Sequence, residues 1–566
     1  MMRARIAGTK RLRFGAFLLW GLLFCMQSPA ATERPPAAAV ATAHPLATEA
    51  GFEILNAGGN AFDAAVAVSA ALAVVEPYSS GLGGGGFWLL HRADDGRDIM
   101  VDGRERAPLA AGPDLYLDEA GKVIPGLSMD GALAAGIPGE PAALAHIAER
   151  YGRLSLARSL APAIRLAHDG FVVDEKYRRM AGFRQAALRR GGDSARLFLA
   201  NGEVPPAGHR IVQPELARTL EALAERGRDG FYSGEVARRL VHAVQKAGGV
   251  WTMQDMEDYR VVEREPVRGV YRGLRITTAA LPSSGGIVLM TMLNILSGYD
   301  LDAMDAATRT HLIVEAMRRA YRDRAEYLGD PDFVRVPVRT LLSPAYAAGL
   351  RAAIRLDRAT PSAALPPAVG VTDGPHTTHF SILDGQGNRV AATLSINYPF
   401  GSGFTATGTG VLLNDEMDDF VARPGVPNAY GLVGGQANAI APGKRPLSSM
   451  TPTFVESDDQ LAILGTPGGS RIITMVLLGV LDFAQGQGPA SWVRLRRFHH
   501  QYLPDQVQYE KGAFDKGVAE RLRAIGHRLQ ALDSDYGNMQ AVLWDRRNRR
   551  VEAASDPRGV GQAVVR

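Results

Sequence analysis

Thr377 and two polar residues downstream of it have the spacing of a nucleophilic site at the end of a β-hairpin. The arms PHTTHFSILD and NRVAATLSIN flank a glycine-rich break at 385–387. Both arms mix β-branched and apolar residues, which together with the break is typical of a hairpin. If the three-residue loop closes the hairpin, the ladder places Thr377 opposite Ser395, with Asn397 just beyond. Opposite residues lie about 4.5–5.5 Å apart, so we expect a hydroxyl and an amide beside Thr377, unless the turn slips by one residue.

Thr377 gains special chemistry only if the peptide bond before it, His376–Thr377, is cut. The cut would give Thr377 a free α-amino group with a reference pKa of about 7.7–8.0, so that an appreciable fraction is neutral near neutral pH. A neutral amine can accept the proton of the residue's own hydroxyl, which is the threonine–amine form of nucleophile activation. Without the cut, a threonine in this segment is an ordinary strand residue.

Four other segments carry residues that could bind a charged substrate. Residues 414–419 (NDEMDD) form an acidic cluster, for which the simplest interpretation is a solvated loop; the spacing of an EF-hand calcium loop is absent. For Arg104, in DGRERAP, the simplest interpretation is a solvated ion-pair partner. Ser448-Ser449 lie in KRPLSSMTPT, and Gly468-Gly469 lie in a TPGGS turn. Such a turn is either purely structural or a place where backbone N–H groups converge on one oxygen.

Two more motifs invite a cofactor or metal interpretation that we do not favour. Gly81, Gly83 and Gly86 match GxGxxG, but a helical pattern precedes them and FWLL follows, the reverse of the dinucleotide fingerprint. We expect these glycines to let another chain segment or a substrate approach closely. His499 and His500 are adjacent, so their side chains should point in different directions, and no third ligand has a recognisable spacing.

The N-terminal segment predicts export. Five basic residues precede the apolar run Phe14–Met26, and Ser28-Pro29-Ala30 ends in a small residue, which is typical of a signal peptide spanning residues 1–30. The run is short for the competing interpretation, a membrane anchor. Removal of the leader changes the formal net charge from +4 to −1 and removes Cys25, the only cysteine. The basic pI is therefore poor support for nucleic-acid binding, and the exported chain has no disulfide.

The remaining pattern predicts a mixed α and β chain. Helices are expected over Leu46–Ala57 and, capped by Asn60, over the small and apolar segment Ala61–Val75. From about 136 to 249 the pattern is mainly helical. Ala359–Pro375, rich in Ala, Pro and Gly, predicts an exposed tether before the cut.

Several motifs together resemble the γ-glutamyltranspeptidases, a family of self-cleaving N-terminal-nucleophile hydrolases. These are TTHFSILD, LLNDEMDDF, KRPLSSMTPT and GTPGGSRIIT, and the resemblance runs from about Ala43 to Gly559. It implies an α+β fold, a four-layer αββα sandwich built from two interleaved subunits of one precursor. These would be a large subunit (31–376) and a small catalytic subunit (377–566). No cofactor or metal is implied.

The resemblance also implies a role for each candidate residue. Thr377 is the nucleophile, assisted by Ser395, and Gly468 and Gly469 form the oxyanion hole. The residues that would bind the substrate ammonium are Asn397, Glu416 and Asp419. Those that would bind the substrate carboxylate are Arg104, Ser448 and Ser449. The segment 422–435 resembles a lid closed by Tyr430. Ser395 departs from the threonine that the family often has, so we expect slower maturation.

The implied activity is an exported γ-glutamyltransferase and glutathione hydrolase of the periplasm or cell exterior. Its partners would be glutathione or a related γ-glutamyl compound and an amino acid or peptide acceptor, with neither nucleic acid nor membrane after leader removal. Three alternatives remain open: a cephalosporin or glutaryl acylase, a poly-γ-glutamate hydrolase or transferase on the same fold, and an uncleaved binding protein for γ-glutamyl peptides.

Overall fold

The computed structural model of the protein describes residues 34–365, 377–423 and 434–566. The predicted leader, His376 of the predicted cut and Tyr430 of the predicted lid lie outside these residues. Residues 34–566 belong to one compact unit. Among the described helices, none combines the length and the apolarity that crossing a membrane requires.

Most of the helices precede Thr377. In chain order they are α1 Pro45–Asn56, α2 Ala61–Val75, α3 Glu140–Tyr151, α4 Leu156–Asp169, α5 Glu175–Arg190, α6 Ser194–Phe198, α7 Pro214–Arg226, α8 Asp229–Tyr232, α9 Gly234–Lys246, α10 Met253–Asp258, α11 Gly285–Leu296, α12 Ala306–Tyr327, α13 Val338–Leu341, α14 Pro344–Ala352, α15 Ile472–Ala484, α16 Pro489–Trp492 and α17 Lys516–Ala524.

The strands are divided more evenly between the two sides of Thr377. In chain order they are β1 Ala39–Thr42, β2 Gly85–His91, β3 Asp98–Gly103, β4 Phe171–Val172, β5 Arg210–Ile211, β6 Val262–Arg264, β7 Val267–Tyr271, β8 Leu274–Thr278, β9 Thr378–Leu383, β10 Arg389–Ser395, β11 Thr405–Ala406, β12 Val411–Leu412, β13 Thr453–Glu456, β14 Gln460–Gly465, β15 Phe498–His499, β16 Val507–Tyr509, β17 Leu529–Ala531, β18 Gln540–Asp545, β19 Arg550–Ser555 and β20 Gln562–Val565.

Two large sheets combine strands from before and after Thr377. The first has the order β20-β1-β9-β10-β2-β3-β6, and the second has the order β19-β18-β14-β13-β8-β7. Neighbouring strands in both sheets are antiparallel. The hairpin β9–β10 lies between β1 and β2, so both of its edges are covered by strands from the first part of the chain.

Both faces of the first sheet are buried. In β2, Phe87 and Leu89 join an apolar cluster that also contains residues of the second sheet, such as Phe454 and Val542. The alternate residues Trp88 and Leu90 join the cluster that includes the helices α2 and α4. The second sheet likewise contributes to a cluster with α11, α12 and α15. Apolar residues on both faces explain why these strands read as nearly continuous apolar runs.

The predicted helix α2 forms as expected and is buried along its whole length. Asn60 caps it, accepting hydrogen bonds from the amides of Phe62 and Asp63, while the Asp63 carboxylate accepts from the Asn60 amide. The buried Asp63 carboxylate also accepts from the amides of Arg153 and Leu154. These donors replace the water that a buried carboxylate loses.

The hairpin register is the predicted one. Thr378 pairs with Leu394 and Leu383 with Arg389, which puts Thr377 opposite Ser395. The Asp384 carboxylate fixes the turn, because it accepts from the amides of Gln386 and Asn388 and from the Asn388 side chain. This carboxylate also accepts from the amide of Ala61 at the start of α2, which attaches the hairpin to the helix layer.

Candidate active site

Thr377 immediately precedes β9, and its side chain is buried next to Ser395. The Thr377 Oγ1 atom lies 3.4 Å from Ser395 Oγ. Ser395 Oγ accepts a hydrogen bond of 2.8 Å from the Asn397 amide. Because that oxygen already accepts from a fixed backbone donor, its own proton can be directed toward Thr377. The sequence prediction of a hydroxyl beside Thr377 is confirmed, and the contact is longer than a typical O–H···O hydrogen bond.

Asn397 is held in a conformation that few residue types adopt. Its φ of +70° is in the left-handed region, where asparagine is enriched. Its side-chain nitrogen donates to the Asp415 carbonyl at 3.0 Å, which leaves the side-chain oxygen as an acceptor. The Asp415 side chain in turn accepts from the Tyr398 amide at 2.9 Å. Burial raises the pKa of Asp415 well above its usual range.

A cavity of about 290 Å³ collects most of the predicted site residues. It is lined by Thr377, Ser395, Asn397, Glu416, Asp419, Ser448, Ser449, Met450, Gly469, Ser470 and Ile472. These residues come from five separate segments of the chain downstream of position 376. The cavity is small and most of its lining residues are polar, so it fits a compact polar group such as the end of an amino acid.

Arg104 contacts the same acids that we expected to bind the ammonium of the substrate. Its guanidinium is fully buried and donates to Glu416 Oε1, to Asp419 Oδ2 and, at 3.2 Å, to the Pro446 carbonyl. The acids that the resemblance assigns to the substrate ammonium and the arginine that it assigns to the carboxylate are therefore direct neighbours, and their roles toward a substrate stay predictions. Burial lowers the pKa of Arg104, but the carboxylates of Glu416, Asp419 and Glu105 outweigh it and leave the pKa above its usual value.

The acids of the site are easier to protonate than ordinary carboxylates. Burial raises the pKa of Glu416 to about 7, although the nearby Arg104 opposes this. Burial also raises the pKa of Asp419, again against the effect of Arg104. Glu105, next to Arg104, is fully buried and its pKa is raised well above the usual range by burial and by the Glu416 charge. The charge of this cluster therefore changes near neutral pH.

Ser448 and Ser449 are fixed by backbone contacts and by an arginine that the sequence analysis missed. The Ser448 carbonyl accepts from both the amide and the hydroxyl of Ser284. Ser449 Oγ accepts from Arg324 at 3.2 Å, and Arg324 Nε donates to Ser284 Oγ at 2.9 Å. Burial lowers the pKa of Arg324 to about 10. Arg324 was not found because it is one of several arginines in α12, and no local pattern separates it from the others.

Gly468 and Gly469 lie where a strand passes into a helix. A 3₁₀ turn, Gly469–Arg471, leads directly into α15. Both glycines have positive φ, +143° and +55°, which favours residues without a side chain. Their amides are at the start of a helix, where N–H groups lack intrahelical acceptors and attract negative charge. Gly469 lines the cavity, and Gly468 lines a larger cleft that Thr377 also lines.

The glycine-rich loop before β2 supports the hairpin by close backbone contact. A Cβ atom on Gly83 would lie 2.0 Å from the Leu412 carbonyl oxygen, and one on Gly84 would lie 2.2 Å from the Ser395 carbonyl oxygen. Any side chain here would displace the segment that holds Ser395. The expectation of a close chain segment is confirmed for Gly83 and Gly86, whereas a Cβ atom on Gly81 would make only an ordinary contact.

The histidines have structural contacts. His499 contacts Thr474 and Gln501, whereas His500 contacts Asp505, so the two rings have different partners as predicted. Within the described residues, His311, Glu315 and His527 bring ligand atoms within 4.8 Å of one another. The Glu315 carboxylate is paired with Arg318 and Arg319. Two arginine charges would repel a metal ion, so we assign none to this cluster.

Comparison with known proteins defines first the structural class and then the family. The chain is similar to the cephalosporin acylase from Bacillus halodurans, with a TM-score of 0.82 and 28% sequence identity over 97% of this chain and 99% of that chain. By fold it therefore falls in the structural class of that acylase.

Comparisons of the amino-acid sequence identify a particular family within this structural class. The family model Gamma-glutamyltranspeptidase matches residues 47–566. A glutathione hydrolase proenzyme from Pseudomonas sp. (strain A14) is 44% identical over 495 residues, covering 87% of this chain and 86% of the relative. One from Escherichia coli (strain K12) is 42% identical over 527 residues, covering 92% and 90%. The chain belongs to the γ-glutamyltranspeptidase family.

Proposed function

We propose that the protein is a self-cleaving γ-glutamyltransferase and glutathione hydrolase with Thr377 as nucleophile. The observation that carries this is the cavity that Thr377 and Ser395 line together with two acids and two serines, with the buried Arg104 in contact with both acids. Family membership and the glutathione hydrolase proenzymes among the relatives support the same activity.

The proposed reaction begins with Thr377 Oγ1 attacking the γ-carbonyl carbon of the substrate. The α-amine of Thr377, freed by the cut, accepts the hydroxyl proton. Negative charge then develops on the carbonyl oxygen, and the amides of Gly468 and Gly469 are placed at a helix start where they can stabilise it. The C–N bond breaks, the leaving amine takes the proton, and a γ-glutamyl ester remains on Thr377. Water or an acceptor amine resolves this ester. The sequence of steps requires no cofactor.

The same cavity supports recognition of an α-amino acid. A γ-glutamyl group carries an ammonium and a carboxylate on one carbon, and the cavity offers partners for both. Glu416, Asp419 and the Asn397 side-chain oxygen would accept from the ammonium. Arg104 would bind the carboxylate with the hydroxyls of Ser448 and Ser449. Because Arg104 already contacts the acids, the bound zwitterion would extend an existing chain of alternating charges.

The proposal includes maturation into two subunits. Cleavage at His376–Thr377 would give a large subunit (31–376) and a small one (377–566), after loss of a signal peptide over residues 1–30 and export to the periplasm or medium. Support comes from the two large sheets, each of which contains strands from both parts, and from the clusters on both faces of each sheet, as a four-layer αββα sandwich requires. Tyr430 would close a lid over the site.

Cleavage can be tested on the purified protein. A denaturing gel should show two fragments, and N-terminal sequencing of the smaller one should begin Thr-Thr-His. Thr377→Ala should remain one chain and lose turnover of a γ-glutamyl amide, whereas Thr378→Ala should still be cut. A single-chain parent that turns over glutathione would refute the proposed nucleophile. A fragment that begins at Thr378 would move the nucleophile by one residue.

A second candidate function, an acylase of cephalosporin or glutaryl side chains, is favoured by the similarity to the Bacillus halodurans enzyme. A glutaryl group lacks the ammonium, so it would not need Asp419. If Asp419→Ala loses turnover of γ-glutamyl amides and of glutaryl amides alike, ammonium recognition at Asp419 is wrong. Selective loss of the γ-glutamyl reaction would support the transferase.

A further inference from the structure

Thr377 lines a second space besides the donor cavity. An open cleft of about 2430 Å³ meets Thr377 on the side of Gly468. In the part of the chain that the structure describes, six cationic side chains line the cleft against two acidic ones. The cations are Lys176, Arg179, Arg471, Arg494, Arg496 and Arg558. The cleft is several times larger than a single amino acid needs.

One wall of the cleft is a face of α5. Lys176, Arg179, Met180 and Phe183 follow the spacing i, i+3, i+4, i+7 and therefore lie on one side of the helix. Phe183 is 61% exposed, which is unusual for a phenylalanine in a folded chain. Its ring lies 5.6 Å from that of Tyr398, another cleft residue. This wall offers an apolar surface beside positive charge.

Some of the cations are neutralised within the protein. Lys176 pairs with the buried Glu76 at 2.9 Å, and that carboxylate also accepts from Thr378. Arg496 pairs with Asp535 at 2.8 Å. Arg558 pairs with Glu510 at 2.7 Å. These ion pairs form part of the cleft walls and contribute little net charge to the cleft.

Arg179 and Arg494 differ from these ion-paired cations in their surroundings. Both are exposed, and among the described residues neither has a carboxylate within ion-pair distance. Arg494 donates only to the Ala490 carbonyl at 3.1 Å. The acid Asp533 on the same cleft is fully exposed and pairs with Lys511 at 3.9 Å. The cleft therefore has an excess of positive charge, and that excess comes from two separate parts of the chain.

We propose that this cleft binds an acidic peptide as the acceptor, with Arg179 and Arg494 recognising its side-chain carboxylates. The proposal rests on the proposed function and specifies its acceptor. The peptide's α-amine would attack the carbonyl of the γ-glutamyl ester on Thr377. A C–N bond forms, the ester C–O bond breaks, and the amine proton returns to Thr377 Oγ1. The carboxylates of the peptide would then extend along the cleft, away from the donor cavity.

The test compares two acceptors of equal size, Gly-Asp-Asp and Gly-Asn-Asn, with a γ-glutamyl anilide as donor at low salt. The parent should have the higher kcat/KM for transfer to Gly-Asp-Asp. Arg179→Gln and Arg494→Gln should each lower the ratio of the two values about two- to fivefold, the effect of one exposed charge pair. Added salt should lower the ratio in the parent, because exposed charges are screened. The control Arg178→Gln, on the same helix but paired with Glu175, should keep the parental ratio.

Two outcomes separate failure of the cleft from failure of the proposed function. If the parent hydrolyses the donor without acceptor but shows no preference for Gly-Asp-Asp, the acidic acceptor is wrong and the proposed function stands. The same holds if the double variant of Arg179 and Arg494 keeps the parental ratio. If the cleaved parent does not hydrolyse the donor at all, the proposed function itself is wrong.

Discussion

The charge of Glu416 should control the pH dependence of donor binding. Its pKa is raised to about 7 by burial, and only the carboxylate form can pair with the substrate ammonium. With this pKa, about one tenth of the molecules carry the charge at pH 6 and about nine tenths at pH 8. We therefore expect kcat/KM for a γ-glutamyl amide to rise about tenfold between these pH values because of Glu416. The direction is fixed, since protonation removes the anion.

The variant Glu416→Gln removes this titration while keeping the size of the side chain. A charge-assisted hydrogen bond contributes about 1.5–3 kcal/mol, so kcat/KM at pH 8 should fall about 10- to 150-fold. The loss should shrink as the pH falls, because the parent itself becomes protonated. At pH 5.5 the two proteins should differ by much less. The variant should retain a single rise at a higher pH, near 7.7–8.0, from the α-amine of Thr377.

The measurement is the initial rate of anilide release at low donor concentration, because kcat/KM reports the groups of the free enzyme. The exposed residue Glu225 on α7 provides a matched control, and Glu225→Gln should follow the parental curve. If Glu416→Gln runs parallel to the parent at every pH, Glu416 does not titrate in the free enzyme as we propose. If activity of the parent falls as the pH rises from 6 to 8, the ammonium does not require this carboxylate.

Three further variants test other parts of the site. Gly468→Ala adds a methyl group at a φ of +143° and 2.6 Å from a methionine methyl carbon. We expect kcat to fall about 10²–10³-fold, as for a lost oxyanion donor. The control Gly486→Ala, at positive φ in open space, should keep parental kcat. Ser395→Thr should speed the appearance of two fragments in a cleavage time course, and an unchanged rate would contradict a loose hydroxyl contact. Arg324→Lys removes one of the two hydrogen bonds that Arg324 donates to serine hydroxyls. It should raise KM for the γ-glutamyl substrate about tenfold with little change in kcat. The control Arg322→Lys on the same helix should leave KM unchanged.

The parts of the fold that depend on neighbouring residues were predictable. The hairpin register follows from a three-residue loop and the period of two along each arm, and the observed pairing of Thr378 with Leu394 agrees with it. The burial of α2 follows from its small apolar residues, and its start follows from Asn60. Both are local properties, because the hydrogen bonds of this turn and this cap join residues two to four positions apart.

The candidate residues of the site were predictable from motifs, but their contacts were not. Arg104 and Glu416 are 312 positions apart, and their direct pairing was not expected. Arg324 contacts Ser449 across 125 positions, and no feature of α12 distinguishes it from its neighbours. Contacts at this separation depend on how the sheets and helices pack, which periodicity does not encode.

The sequence by itself determined the hairpin, the buried helix, the nucleophile candidate and the family to which the motifs point. Only the tertiary structure decided that the acids surround the arginine, that burial moves the pKa of Glu416 to about 7, and that Thr377 lines both the donor cavity and a cationic cleft. The reason is physical: the energy of a charge depends on its distance from other charges and from water, and folding sets both.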